Sequence, residues 1–199
     1  MGKRDEIISV SLALFMNNGY ERTSLADIAK RIGFTKPAIY YYFDDKQTLF
    51  EAACRYFMDL IEKMWSPQTE QPATFQDALH AALGSINMMF LNFQALMHAE
   101  DTISMFKFYL FIYEAITRID WFKESINNFY SANISQLSSL MVDGQKKGAI
   151  RRDLDPDVVS TAITALIEGL IMMHMADLDI ELDPLSEKMA DNIWAMVRS

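Results

Sequence analysis

Apolar residues recur at steps of three and four along almost the whole of this 199-residue chain, which is the spacing of one face of an α-helix. In the first segment Ile7, Val10 and Leu14 share such a face, and Asn18-Gly19 supplies a left-handed stop after it. Strict alternation of the strand type is essentially absent, and only seven glycines and five prolines interrupt the pattern. The sequence therefore predicts an all-α fold.

Two short helices near the start of the chain are marked by capping residues. Thr23-Ser24 followed by Asp27 resembles a capping box, which opens a helix that Gly33 closes. The hydroxyl of Thr35 is expected to cap a third helix over residues 38–43. Two short helices at this spacing form a helix-turn-helix, whose second member can enter the major groove of DNA.

Longer helices are predicted after this motif. The Asp-Pro pairs at 155–156 and 183–184 are each expected to open one, because proline suits the first helical turn. The chain should divide into a head at 1–47 and a body at 48–199, with 48–65 as a linker helix and a polar break with two prolines after it. The other predicted helices of the body cover about 74–97, 102–118 and 120–147.

Charge is divided unevenly between the two parts. The net charge of the chain is −9, but residues 1–46 hold seven basic and six acidic side chains, for a net +1. The other residues carry −10, from 11 basic and 21 acidic side chains. A nearly neutral head can approach a polyanion, whereas the acidic body cannot. Bulk attraction is too small to supply the affinity, so the head would depend on shape and specific contacts.

The front of the third helix carries the side chains best suited to DNA. Lys36 can donate to guanine acceptors or to a phosphate, and Thr35 to a phosphate. The surfaces of Pro37 and Ala38 could touch a thymine methyl group. Three consecutive tyrosines fan across the helix, so at least one hydroxyl should be exposed beside the groove. The remaining candidates for phosphate contact are Tyr40, Tyr41, Tyr42 and Lys46.

At these residues the chain resembles the DNA-binding head of the TetR family of bacterial transcriptional regulators. The similarity runs from residue 7 to about residue 50 and includes the runs Ala13-Leu14-Phe15, Asn18-Gly19-Tyr20, Thr23-Ser24, Asp27-Ile28-Ala29, Gly33, Thr35-Lys36, Ile39-Tyr40-Tyr41-Tyr42-Phe43 and Asp45-Lys46. The resemblance adds Thr23 and Ser24 to the candidate DNA contacts. Many members of the family have Gly before a small residue in the third helix, where this chain has Pro37-Ala38.

The resemblance implies a subunit of about nine helices, a homodimer, a palindromic operator and a small-molecule effector bound in the body. It implies repression as the usual sign of control. The expected function is that of a repressor released from its operator when the effector binds. The head is then the DNA-binding domain, and the body is the ligand-binding and dimerisation domain.

Beyond residue 50 the similarity to the family is general. It suggests that residues 158–176 and 185–197 pack against their symmetry mates as a four-helix bundle, with small residues allowing close approach. Two heads held one helical turn of DNA apart, about 34–36 Å, could then each contact one half-site. The predicted dimer contacts are Ala162, Ala165, Leu166, Gly169, Leu170, Met189, Ile193 and Met196.

Methionine and aromatic residues are concentrated between residues 86 and 130. Each of them is more simply a core residue, but flexible thioethers can also repack around varied ligands, which favours an apolar or aromatic effector. Glu114 and Glu168 are among the few polar groups that could contact it. The candidate pocket residues are Met89, Phe90, Phe93, Met97, Phe106, Tyr109, Tyr113, Phe129, Glu168 and Met172.

Several other classes of protein fit the sequence less well. Cys54 is the single cysteine, so no internal disulfide can form, and no Cys/His cluster predicts a metal site. We expect no cofactor, no secretory signal, no membrane span and a cytoplasmic location. No nucleophile–base pair or nucleotide-binding motif indicates an enzyme. A helical carrier or enzyme with an apolar cavity, or an adaptor protein whose head binds no DNA, remains the alternative.

Overall fold

The computed structural model describes residues 2–65, 72–84, 91, 95, 103–176 and 181–199, with backbone alone at 64, 65, 182 and 183. The described residues form nine helices, and the all-α prediction is confirmed. The helices are α1 (Lys3–Asn18), α2 (Leu25–Arg31), α3 (Lys36–Tyr40), α4 (Lys46–Trp65), α5 (Phe75–Gly84), α6 (Met105–Arg118), α7 (Asp120–Lys146), α8 (Pro156–Met175) and α9 (Leu182–Val197).

The chain forms two compact units, of which the first comprises Met1–Ser66 and Leu91–Ile126. In it α1 packs against α2, α4 and α6. An aromatic cluster fills the core: Phe15 lies 5.0 Å from Phe50, and Phe50 lies 5.7 Å from Phe111, measured between ring centres. The helix-turn-helix and α6 thus belong to one compact unit. The predicted division into 1–47 and 48–199 remains a prediction.

The second unit comprises Pro67–Phe90 and Asn127–Ser199. In it α5 packs against α9. An isolated antiparallel bridge joins Ile150 to Arg198, and the N–H of Arg151 donates to the carbonyl of Val197 at 2.9 Å. Gly144 has no room for a side chain, since a Cβ there would lie 2.5 Å from Cδ1 of Ile150. The end of the chain is thereby fastened beside the turn that follows α7.

Two of the predicted helix caps are present in the structure. The N–H of Asp27 donates to Ser24 Oγ at 3.2 Å and the N–H of Ser24 donates to Asp27 Oδ2 at 2.9 Å, which completes the capping box of α2. Asp155 Oδ1 accepts from the N–H of Asp157 and Val158 at the start of α8. These contacts join residues two or three positions apart, which is why the sequence reveals them.

Thr35 does not cap α3 with its hydroxyl, so that prediction is wrong. Pro37 has no N–H to donate, and the N–H of Ala38 donates to the Thr35 carbonyl at 3.0 Å instead. The helix begins directly after Thr35, as the predicted cap and the place of Pro37 in the first turn imply, but it ends at Tyr40, earlier than the predicted Phe43. It tightens where the N–H of Tyr42 donates to the carbonyl of Ile39 at 3.0 Å, a bond of the 3₁₀ type.

Two other helix predictions need comment. The last helix begins at Leu182 after Glu181, rather than at Pro184. The predicted helix over 74–97 is described as α5 up to Gly84, and most of the remainder lies outside the described residues.

By length and composition, α8 could cross a membrane, whereas the sequence prediction excludes such a span. The helix contains Glu168, whose Oε1 accepts a hydrogen bond from the Tyr130 hydroxyl at 2.8 Å. Ile163, Leu170 and Ile171 on the same helix are buried. One side of α8 therefore packs within the subunit.

Candidate nucleic-acid interface

The helix α3 is held to the head by two apolar side chains and one glycine turn. Ile39 on α3 and Phe43 just after it are both buried. Before the helix, Gly33 has φ +70°, a left-handed conformation that other residues rarely adopt. The N–H of Phe34 donates to the Ala29 carbonyl at 2.8 Å, which closes the turn. The buried anchors fix which side of α3 faces solvent.

The opposite side of α3 is open. Thr35, Lys36 and Pro37 are exposed, and Tyr40 and Tyr41 are 47% and 82% exposed. The expectation that a tyrosine is exposed on this face is therefore confirmed. Ala38 and Tyr42 are half-buried, and the ring of Tyr42 meets that of Tyr41 edge-on at 4.9 Å. Lys36 Nζ lies 5.8 Å from the ring centre of Tyr40. DNA contact by these seven residues is a prediction that their placement allows.

Thr23 has a structural role instead of the one predicted. The residue is only 1% exposed, and its hydroxyl donates to the Gly19 carbonyl at 2.8 Å, at the end of α1. A hydroxyl bound in this way is not available to a phosphate. Ser24 is exposed at the start of α2, but its hydroxyl is also engaged, since it donates to Asp27 Oδ2 at 2.6 Å. Its hydrogen bonds with Asp27 lower the pKa of that carboxyl from its ordinary value of 3.8.

Lys46 is also engaged within the protein. Its Nζ donates to the Tyr20 carbonyl at 3.0 Å and lies 4.1 Å from the centre of the Tyr20 ring. The side chain is half-buried. The prediction of a phosphate contact does not account for these interactions, which fasten the start of α4 to the turn after α1.

The same turn is attached to α6. The N–H of Tyr20 donates to Glu114 Oε2 at 2.8 Å, and the Arg118 guanidinium donates to Glu21 Oε1 at 2.6 Å. Arg118 also lies 4.3 Å from the Tyr20 ring centre. Burial, above all, raises the pKa of Tyr20. The sequence interpretation gave Glu114 as a possible effector contact and favoured a surface or structural role for it. It could not name the partner, because 94 residues separate Glu114 from Tyr20 and no local spacing relates them.

The head carries further exposed cations. Lys3, Arg4, Arg22 and Lys30 are all exposed. Lys3 Nζ lies 5.8 Å from the ring centre of Phe34, and the Arg4 guanidinium lies 5.1 Å from that of Phe43. Lys3 and Arg4 are absent from the predicted DNA contacts, since only the fold brings the start of α1 beside the turn that precedes α3.

The predicted effector pocket is described in part. Phe106 and Tyr113 are exposed on α6, and Met172 is exposed on α8. Tyr109, Phe129 and Glu168 are half-buried. Met89, Phe90, Phe93 and Met97 lie outside the described residues. The pocket therefore stays a prediction.

The predicted dimer contacts fall into two groups. Ala162, Ala165 and Gly169 form an exposed stripe on α8, and Met196 is exposed on α9, while Leu166 and Met189 are half-buried. Leu170 and Ile193 are buried within the subunit, so they do not form part of its exposed surface. For these two residues the expected contact needs correction, because their side chains already belong to a core.

The described residues offer little for catalysis or metal binding. Within the described ranges, no group of three His, Cys, Asp or Glu side chains could hold a metal ion. Cys54 is buried, and desolvation raises the pKa of its thiol, which disfavours the reactive thiolate.

Residues 7–53 match the family model described as bacterial regulatory proteins, tetR family. The negative transcriptional regulator IcaR of the biofilm operon icaADBC, from Staphylococcus aureus, is 31% identical over 80 residues. That alignment covers 40% of this chain and 43% of IcaR, so the chain matches less than half of this relative's length. The probable acrEF/envCD operon repressor of Escherichia coli is 24% identical over 97% of this chain and 86% of the relative.

Solved structures share the fold over nearly the whole chain. A TetR-family transcriptional regulator from Cytophaga hutchinsonii superposes with a TM-score of 0.70 at 19% identity, covering 98% of this chain and 94% of the other. A TetR transcription regulator from Haloarcula marismortui gives 0.67 at 17% identity, covering 98% of both chains. At these identities the likeness establishes the fold and nothing finer.

Proposed function

Because residues 7–53 match the model of the tetR family of bacterial regulatory proteins, we propose that this chain is a ligand-responsive, DNA-binding transcriptional regulator. Its relatives IcaR and the acrEF/envCD protein are named as a negative regulator and a repressor. Repression is therefore the proposed sign of control. Operator binding places the protein in the cytoplasm, and we propose no catalytic activity for it.

The observation that carries this proposal is the way α3 packs on the head, with one side buried and the other exposed. Ile39 and Phe43 are buried on one side, while Lys36, Tyr40 and Tyr41 project from the head on the other. A helix held in this way can enter the major groove with its N-terminal side chains against the base edges. Lys36 is the group we propose for a guanine or a nearby phosphate. Thr35, Pro37 and Ala38 would complete the contact with the bases and backbone.

The operator should be palindromic, because the protein should be a homodimer. The stripe formed by Ala162, Ala165 and Gly169 is exposed on α8 and lacks bulky side chains, so two copies of the helix can approach closely. Val158 and Met172 extend the stripe as exposed apolar residues. An isologous dimer built on it would repeat the head about a twofold axis, which matches the symmetry of a palindrome.

The effector is proposed to be an apolar or aromatic small molecule bound in the body. It would shift the population toward a dimer in which α4 has moved and the two heads no longer match the half-site spacing. A hundredfold loss of operator affinity requires a preference of about 2.7 kcal/mol for that state. The support for this class of effector is the content of Met and aromatic residues between positions 86 and 130.

The decisive experiment is a binding titration. Wild-type protein would be used to select duplexes from a random pool, and the affinity for the selected duplex would be measured by fluorescence anisotropy at several salt concentrations. Lys36→Ala should weaken binding to the selected duplex and relax its base preference. Lys63→Ala is the matched control, since Lys63 is exposed near the far end of α4, about 25 Å along the helix from Lys46.

The alternative is a helical protein or enzyme that binds an apolar ligand without an operator, or an adaptor. Such a protein would enrich no duplex from the pool, and Lys36→Ala would behave like Lys63→Ala. That result would contradict the proposed regulator. Sequence-selective binding that is lost in Lys36→Ala alone would exclude the alternatives.

A further inference from the structure

A groove of about 340 Å³ opens on the surface of the head beside α3. It lies where the start of α1 meets the turn and first residues of the recognition helix. Lys3 comes from α1 and Phe34 from the turn before α3. The residues that line the groove are Lys3, Phe34, Thr35, Ala38, Tyr41 and Tyr42.

The lining combines one cation, three hydroxyl groups and apolar side chains. Lys3 is the single charged side chain in it, and its Nζ lies 5.8 Å from the centre of the Phe34 ring. Thr35, Tyr41 and Tyr42 supply the hydroxyls. No acidic side chain lines this groove, so its electrostatic preference is for an anion.

The nearest acid to Lys3 in the sequence, Asp5, does not line the groove. Asp5 lies two positions away, and its Oδ2 accepts a hydrogen bond from the N–H of Gly2 at 3.1 Å. The carboxylate is thereby occupied at the start of α1 and is absent from the lining. Arg4 adds a second exposed cation close by, with its guanidinium 5.1 Å from the ring centre of Phe43.

The groove is continuous with the proposed DNA-contacting face. Thr35 and Ala38 belong to both, and Lys36 lies between them in sequence. A DNA strand whose bases face Lys36 must carry its sugar-phosphate backbone past the neighbouring surface of the head. A lining of apolar, hydroxyl-bearing and ammonium-bearing side chains suits a deoxyribose with its phosphodiester, since the sugar packs on apolar atoms and the phosphate accepts hydrogen bonds.

We propose that this groove binds one sugar-phosphate unit of the operator backbone, with Lys3 Nζ contacting the phosphate and the Tyr41 hydroxyl donating to it. The contact adds affinity and fixes the register of the head without distinguishing bases. It extends the DNA-binding surface from α3 to the start of α1. This inference rests on the proposed function and adds a residue that the helix-turn-helix pattern does not contain.

The test compares Lys3→Ala, Lys3→Arg and Tyr41→Phe with Lys36→Ala on the duplex selected by the wild-type protein. Each lost phosphate contact lowers the slope of log K against log salt by about 0.9, so Lys3→Ala in a dimer should lower it by about 1.8. Its base preference in a repeated selection should match that of the wild type. Lys3→Arg should keep the wild-type slope, and Tyr41→Phe should weaken binding with the slope unchanged.

Lys63→Ala serves as the control for loss of an exposed lysine, and circular dichroism is used to check that each variant is folded. If Lys3→Ala keeps the wild-type slope while Lys36→Ala loses binding, the groove contact is refuted and the regulator stands. If Lys3→Ala changes the preferred base sequence, Lys3 contacts bases and the proposal is again wrong. If the wild-type protein selects no duplex, both proposals fail together.

Discussion

The backbone N–H of Tyr20 donates to Glu114 Oε2 at 2.8 Å, which joins the turn after α1 to α6 across 94 residues of sequence. Arg118, one turn further along α6, bonds Glu21 in the same turn and lies over the Tyr20 ring. Lys46 donates to the Tyr20 carbonyl from the start of α4. Three helices therefore meet at one short turn, and a displacement of α6 would reach the helix-turn-helix through it.

We expect Glu114→Ala to lower the free energy of unfolding by about 1–3 kcal/mol, because the N–H of Tyr20 would lose its acceptor in a partly buried site. Glu114→Gln keeps an acceptor oxygen and should cost less. Urea denaturation followed by circular dichroism measures both variants. Glu124→Ala, at an exposed position on α7, is the control. Equal stabilities for Glu114→Ala and Glu124→Ala would contradict the role given to the hydrogen bond.

Replacement of Thr23 by Val should reduce stability and leave DNA affinity alone. The variant keeps the shape of the side chain but removes the buried hydroxyl that donates to the Gly19 carbonyl, at a cost of about 1 kcal/mol. Thr23→Ser keeps the hydroxyl, so its free energy of unfolding should lie between those of the wild type and Thr23→Val. Folded Thr23→Val should bind the operator with the wild-type affinity. A weakened affinity in the folded variant would return Thr23 to the list of phosphate contacts.

Gly33→Ala should destabilise the head by about 1–2 kcal/mol, because φ at this position is +70°. A Cβ there meets no atom within 4 Å, so the cost comes from the backbone alone. Gly33→Asn should be milder, since asparagine tolerates this conformation better. Thermal unfolding measures the three proteins. A melting temperature for Gly33→Ala equal to that of the wild type would contradict the expected strain.

Ala165→Glu should separate the proposed dimer without unfolding the subunit. The residue is exposed in the subunit, so the new carboxylate can stay in water, whereas a twofold axis on the stripe would bring two such charges together. Sedimentation velocity reports the oligomeric state. Lys147→Glu, at an exposed position after α7, introduces the same carboxylate and also removes a cation, yet it should remain dimeric. A dimeric Ala165→Glu protein would mean that the stripe is not the interface.

Stability should fall in acid, in part through the capping box of α2. The hydrogen bonds from Ser24 lower the pKa of Asp27 below its unfolded value of 3.8, so the folded state binds the proton less readily. The contribution of Asp27 is present above that value and is lost as the pH falls through the folded pKa. Urea denaturation between pH 6 and pH 2 should show a shallower loss for Asp27→Asn than for the wild type. If Asp27→Asn and the wild type lost stability identically between pH 6 and pH 2, Asp27 would not contribute to the loss of stability in acid.

What the sequence predicts well are the features that depend on near neighbours. The box of Ser24 and Asp27, the Asp155 cap and the glycine turn at Gly33 all join positions a few residues apart, and periodicity alone predicts the all-α fold. The exposure of Tyr41 also follows from helical geometry.

What the sequence does not predict depends on contacts between distant segments. Thr23 and Lys46 carry polar groups that could serve DNA, and only the folded chain shows that they serve Gly19 and Tyr20. Lys3 reaches the recognition helix because α1 folds back on α2, which no spacing near residue 3 reveals. Thr35 is a local failure, since the missing N–H of Pro37 removes one of the two usual partners of a capping hydroxyl.

The recognition helix is only five residues long. Isolated helices below about 12–15 residues are marginal in water, since nucleation fixes several dihedral angles for the first hydrogen bond. The helical conformation of α3 therefore depends on Ile39 and Phe43, whose side chains are buried in the interior of the head. Substitutions in the interior of the head, which touch no nucleotide, can in this way loosen the helix that is proposed to contact DNA.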